Sequence, residues 1–241
     1  MNDDSQPTLF TWDGFMQGAR QSTPSLLSLT PFGLVIGISC QGAGLSLVEA
    51  VMMSLVIFAG SAQLVMLSIW THPAQIASLA IAALAMNLRM ALMGPVLAPW
   101  FDGLRGWRVW VSMFFMYDQN WAFSVREMNA GNRDAAYMIG NGIPAYGIWV
   151  TATAAGYLAG SALQIPAGHP VFFAALAVFV SILVTTWRGL RDALPWATAA
   201  GVAVLTSWLL PGSFWHIVIG ALAGSIVGGL REQARQRRIA P

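Results

Sequence analysis

Apolar residues run through this chain in long blocks separated by short polar gaps. Eight can be drawn: Pro24–Gln41, Leu45–Ile69, Pro73–Leu97, Trp107–Val125, Ala135–Leu163, Pro170–Trp187, Leu194–Leu210 and Phe214–Leu230. Each is close to the ~20 residues that cross a ~30 Å hydrocarbon layer. Hydrocarbon offers no partner to a free backbone group, and the blocks lack the dyad alternation of a barrel strand, so they predict helices. The expected fold is an all-α polytopic membrane bundle of eight crossings. The count becomes seven if the second block re-enters at Phe58-Ala59-Gly60-Ser61-Ala62-Gln63.

Residues 1–23 are polar to amphipathic and lack the shape of a signal peptide. Phe10, Trp12, Phe15 and Met16 predict a short interfacial helix, or equally an arm packed on the domain. The reading is an arm over 1–23, a transmembrane domain over 24–230 and a basic tail over 231–241. Pro31 through Phe58 and Pro144 through Phe179 share a layout of proline, small-residue run, linker and apolar segment, as a decayed internal duplication would.

Composition agrees: 56% of residues are apolar and 9% charged, so lipid is the main solvent. All twelve basic residues are arginine. With the N-terminus cytoplasmic and eight crossings, Arg20, Arg126, Arg133, Arg188, Arg191, Arg231, Arg235, Arg237 and Arg238 fall inside and Arg105 and Arg108 outside, a positive-inside bias. This clustering suits an anionic inner leaflet rather than nucleic acid. Trp70, Trp100, Trp107, Trp110, Trp187, Trp196 and Trp215 sit near block ends, as interfacial anchors do. Cys40 stands alone in an apolar block, and His72, His169 and His216 have no metal-ligand spacing. No phosphate loop, nucleophile elbow or pair of carboxylates for acid–base work is present, so neither an enzyme nor a cofactor is expected.

Ionisable groups deep in a membrane segment cost at least ~2.5–3.5 kcal/mol unless paired or facing water, so they carry the strongest signal. Two meet that description: Arg89, in Met86-Asn87-Leu88-Arg89-Met90, and Asp118, in Tyr117-Asp118-Gln119-Asn120. If their segments form a hairpin turning near Asp102, each lies roughly 20 to 24 Å of helix rise from the turn, at matching depth. An ion pair is available, either static or facing an aqueous cavity. In the cavity Arg89 would meet a substrate carboxylate, and Asp118 would take an ammonium or a coupling proton. Glu49, near the start of its block, is expected to snorkel.

Phe58 to Gln63 reads either as a tight packing patch or as a helix break whose freed amides, with Gln63, hold a zwitterion's ends. Pro31-Phe32-Gly33 and Asn141-Gly142-Ile143-Pro144 are two more candidate breaks, or repaired kinks. Gly220, Gly224 and Gly228 form a stripe on which another helix can lie, from this chain or a partner.

At these residues the chain resembles the AzlC family of branched-chain amino acid permeases. The likeness rests on Pro31-Phe32-Gly33-Leu34, Gly44-Leu45-Ser46, Ser54 with Phe58-Ala59-Gly60-Ser61-Ala62-Gln63, and Asn87-Leu88-Arg89. It implies a bacterial inner-membrane protein that works with a small AzlD-type membrane subunit and exports valine, leucine, isoleucine and methionine. One departure stands out: where that family carries a Thr-Asp-Glu run, this chain has Tyr117-Asp118-Gln119. The expectation is a proton-driven transporter with its site among the first four segments. Pro31, Phe32, Gly33, Phe58, Gly60, Ser61, Gln63, Asn87, Arg89, Asp118 and Gln119 would bind substrate, and Asp118 would serve coupling. The rivals are a passive channel for small zwitterions and a non-transporting membrane scaffold.

Overall fold

The computed structural model describes residues 8–163, 189–211 and 215–239, with single positions at 180, 184 and 187. The chain divides into two compact units, Met1–Leu176 and Ala177–Pro241. His169, most of the sixth apolar block and the far end of the suggested duplication lie outside the described residues.

In the first unit the helices are α1 (Trp12–Gln21), α2 (Thr23–Gly42), α3 (Leu47–Val56), α4 (Gly60–Ser68), α5 (Ile76–Met93), a 3-10 turn Gly94–Leu97, α6 (Ala98–Phe101), α7 (Trp107–Phe114), α8 (Asp118–Asn129) and α9 (Ala136–Leu163). Among the described residues two stretches, Thr23–Gly42 and Ile76–Phe101, are long and apolar enough to cross a membrane.

The frame is the pair α2 and α9, which run in the same direction with backbones nearly touching. A Cβ on Gly33 would overlap Ala152, one on Gly37 would meet the Thr153 carbonyl, and one on Gly156 would meet the Leu34 carbonyl. Without a hydrophobic driving force between helices in lipid, such close approach is what holds them together. This packing decides between the two readings of each proline motif. Pro31-Phe32-Gly33 does not interrupt α2, and Asn141-Gly142-Ile143-Pro144 does not interrupt α9. Glycines in and beside the second motif are seats for neighbours: Gly140 receives the backbone of Phe15 and Gly142 receives Phe115.

The second and fourth apolar blocks each double back. Ser54 and Gln63 lie nine positions apart, a span of about 13 Å along a continuous helix, yet Gln63 Nε2 donates to Ser54 Oγ at 2.9 Å. The two ends of this hairpin meet again where His72 Nε2 lies 3.3 Å from the Ala43 carbonyl. In the fourth block, Trp107 at the start of α7 packs edge-on against Phe10, with centroids 6.1 Å apart. Phe10 follows Leu9, whose N–H donates to the Arg133 carbonyl beyond the end of α8 at 2.9 Å. Trp100 Nε1, preceding α7, donates to the Asn132 carbonyl at 2.7 Å.

Residues 98–108 and 130–135 therefore share one end of the unit. Ala43 and His72 mark the other, since Tyr157, late in α9, donates to the Leu45 carbonyl at 2.8 Å. Among the described residues of this unit, the second and fourth blocks each return to the end from which they start. Arg105 and Arg108 stand at the same end as Arg126 and Arg133, not opposite them. Trp100 is also no lipid-facing anchor: it is 1% exposed, in a cluster with Leu97, Phe101, Tyr137 and Met138.

The order from α2 is a through-running helix then a hairpin entering from its far end. From α5 the same order repeats in the opposite direction, the arrangement of an inverted repeat. It pairs α2–α4 with α5–α8, a different register from the one the proline-led layout suggests.

α1 packs beside the first turns of α9 as an ordered arm, with Gly14 and Gly18 buried. Its anchor is Asp134, whose carboxylate accepts from the Thr11 N–H at 3.1 Å, from the Thr11 hydroxyl, and from the Ala136 N–H at 3.1 Å. Thr11 Oγ1 in turn caps α1 through the Gly14 N–H. Glu49, exposed at the start of α3, closes a capping box with Ser46.

In the second unit α10 (Leu190–Leu209) and α11 (Trp215–Ile239) pair through Gly220 and Gly224, which seat Ala199, Ala203 and Pro195. The C-terminal glycine stripe is therefore filled from within the chain.

Candidate functional site

The turns of the two hairpins meet. The first, Ile57–Ala59, and the second, Phe115–Tyr117, touch through the Phe58 and Tyr117 rings, centroids 5.1 Å apart. Tyr146 and Trp149 of α9 complete the contact, at 5.4 and 6.2 Å from Phe58. Each turn releases a short helix, α4 and α8, and neither has a side-chain cap at its N-terminus. Uncapped N-termini present free N–H groups and a partial positive charge.

Arg89, from the through-running α5, reaches both. Its Nη1 lies 2.9 Å from Asp118 Oδ2, at the first position of α8, and its Nη2 donates to Ser61 Oγ in the first turn of α4 at 3.3 Å. The depth match expected from sequence holds by another route. Asp118 reaches the level of Arg89 because it sits at the tip of a doubled-back hairpin, about 16 Å of rise from Trp107, not halfway along a crossing. The pair remains open: the side chains are 41% and 54% exposed. Hydrocarbon would penalise such exposure, so this surface suits water, a ligand or a polar partner.

Gln119 pairs with α2. Its amide oxygen accepts from Ser28 Oγ of α2 at 3.1 Å, and its Nε2 lies 3.0 Å from the same atom. All of the first four segments thus contribute to one neighbourhood: Ser28, Ser61, Arg89 and Asp118.

Other expected residues are placed differently. Gln63 is fully buried, tied to Ser54, which donates to Thr153 of α9 at 3.1 Å; its Oε1 has no partner. Asn87 Nδ2 donates back to the Ala83 carbonyl at 3.0 Å. Phe32 stacks on Trp149, centroids 5.5 Å apart, and its ring edge lies on Gly60 where a Cβ would sit. Pro31 is exposed. Ser28 contributes to the site with no signal in the sequence. Tyr117, Asn120 and Asn141 lie in the two motifs the sequence singles out, but nothing there assigns them their contacts. Among the described residues no group of His, Cys, Asp and Glu is placed to hold a metal ion.

Two relatives are similar along most of their length. The inner membrane protein YgaZ of Escherichia coli is 29% identical over 224 residues, covering 90% of this chain and 88% of the relative. A membrane protein of Archaeoglobus fulgidus, described as uncharacterized, is 27% identical over 217 residues, covering 89% and 94%. No solved structure matches. The model of the AzlC protein family matches residues 24–163, the stretch from α2 to the end of α9 that contains both hairpins and the Arg89–Asp118 pair. This chain is a membrane protein and belongs to the AzlC family.

Proposed function

We propose that this protein is the large subunit of a transporter that exports branched-chain amino acids, valine, leucine and isoleucine, and also methionine, across the bacterial inner membrane. The observation that carries the reading is the half-exposed Arg89–Asp118 pair between two uncapped half-helices. Converging half-helix N-termini, with an arginine between them, favour a carboxylate. Asp118, beside them, favours an ammonium. A zwitterion can therefore replace the internal pair, its carboxylate on Arg89 and its ammonium on Asp118, while each charge keeps a partner. The part-exposed ring of Phe58 suits an aliphatic side chain nearby.

The hairpins are read as re-entrant segments, entered from opposite faces. Arg105, Arg108, Arg126 and Arg133 gather at one end, with no arginine among the described residues at the Ala43–His72 end, and this bias supports reading the first end, with the N-terminus, as cytoplasmic. The open face of the pair suits a small AzlD-type membrane subunit, which would line the rest of the path. Asp118 is the group placed to carry a coupling proton, and the driving force is assigned to the proton gradient.

The test is export of labelled valine, leucine and methionine from cells expressing this chain with its small partner, native against Asp118→Asn. Export that disappears in the variant while membrane insertion stays normal supports the reading. Unchanged export reduces the pair to a structural tie, and no export from the native pair removes the substrate assignment.

A further inference from the structure

A chain that turns inside a hydrocarbon layer frees backbone carbonyls that must find donors from within the protein. At the second hairpin one side chain does this. Asn120 is fully buried; its Nδ2 donates to the Phe115 carbonyl in the turn at 2.9 Å and to the Met138 carbonyl of α9 at 3.0 Å. Its Oδ1 accepts from Ser124 Oγ at 3.2 Å. Both amide hydrogens are thus spent on carbonyls, one on each side of the hairpin's contact with α9. Gly142, where a Cβ would collide with Phe115, gives the turn room to lie there. Tyr117 adds a second tie, its hydroxyl donating to Asn141 Oδ1 at 3.2 Å.

The geometry gives this tie a consequence for Asp118. Two residues along an α-helix correspond to about 200° of rotation, so Asn120 and Asp118 project from nearly opposite sides of the first turn of α8. Fixing Asn120 to α9 fixes the rotation of that turn and aims Asp118 at Arg89.

We propose that Asn120 is a positioning residue: by tying the tip of the α7–α8 hairpin to α9 it sets Asp118 against Arg89, without touching Arg89 or a substrate. Its effect on transport rests on reading Arg89 and Asp118 as the substrate site; its effect on the ion pair does not.

The closing experiment therefore measures the pair directly. Arg89→Gln, Asp118→Asn and their combination are made in the full-length native protein and in Asn120→Leu, and Tm is measured in detergent. The proposal expects the two neutralisations to be non-additive in the native background and additive in Asn120→Leu. Equal non-additivity in both backgrounds, or additivity already in the native protein, overturns it. If Asn120→Leu does not reach the membrane folded, Asn120→Ser, which keeps one donor but shortens its reach, is read by the same rule. Export is measured alongside. Asn120→Leu is expected to lower it roughly tenfold or more, as misplacement of a positioned group does, and to lower it no further in Asp118→Asn. Loss of export without loss of Arg89–Asp118 coupling counts against Asn120 alone, whereas native protein that exports nothing counts against the transport reading alone.

Discussion

Nη1 of Arg89, on a helix that runs from one end of its unit to the other, lies 2.9 Å from Oδ2 of Asp118, the first residue after the turn of a hairpin that enters and returns. The pair ties a continuous element to a discontinuous one. Any movement of the α7–α8 hairpin relative to α5 would have to break or bridge it.

Neutralising either partner is expected to cost export far more than stability. With both side chains roughly half exposed, the pair is worth about 1 kcal/mol or less, so Arg89→Gln and Asp118→Asn should fold with Tm near native. Export is expected to fall at least roughly tenfold, the loss that ~1.4 kcal/mol of substrate interaction carries. The double variant should fold and still not export; a double variant that exports at the native rate points to a structural pair.

Labelling distinguishes hairpins from crossings. In a Cys40→Ser background, Asp102→Cys and Ala130→Cys should react from the same side of the membrane, and Thr71→Cys from the opposite side. A fourth block that crossed would put Asp102 and Ala130 on opposite sides, so labelling with a membrane-impermeant maleimide in intact and opened cells decides the point.

Gln63 is expected to tolerate loss of its amide but not a charge. Gln63→Leu removes one donor to Ser54 and one acceptor that has no partner, so stability should change by about 1 kcal/mol or less. Gln63→Glu sets an ionisable carboxyl in a fully buried position and should lower Tm clearly further. Thermal unfolding of the two variants side by side checks the order.

Glycines of α9 should divide by what they face. Gly156→Val drives a side chain into the Leu34 carbonyl and is expected to cost more than the ~1–3 kcal/mol usual for overpacking, because backbone cannot move aside. Gly147 faces open space, so Gly147→Ala should be neutral or stabilise by about 0.5–1 kcal/mol. Folded yield and Tm read both.

Asp134 should decide whether the arm stays docked. Asp134→Ala removes the acceptor of Thr11 and of the Ala136 N–H and is expected to cost about 1–2 kcal/mol. Trypsin should then cut after Arg20 faster than in the native protein.

Among the described residues hydropathy alone was enough to place the helical blocks, because the requirement that backbone groups pair internally in lipid leaves helix as the state for each apolar run. It was also enough to single out Arg89 and Asp118, since a charge inside such a run has to be compensated. Neither inference needs to know where any helix lies. What hydropathy cannot encode is direction: a block of about 22 residues is equally apolar whether it crosses or enters and returns.

That choice rests on contacts supplied from far along the chain. Tyr146 donates to the Leu55 carbonyl beside the first turn from 91 positions away, Asn120 and Asn141 hold the second turn to α9, and Gly142 leaves room for it. In the sequence the glycines and prolines of α2 and α9 look like helix breaks. In the tertiary structure they are the surfaces on which other segments break, because a missing side chain permits close approach by a neighbour as readily as it weakens its own helix. The sequence by itself therefore determined the solvent, the helices and the two charges, and the tertiary structure decided which helices turn back and which tip carries Asp118 to Arg89.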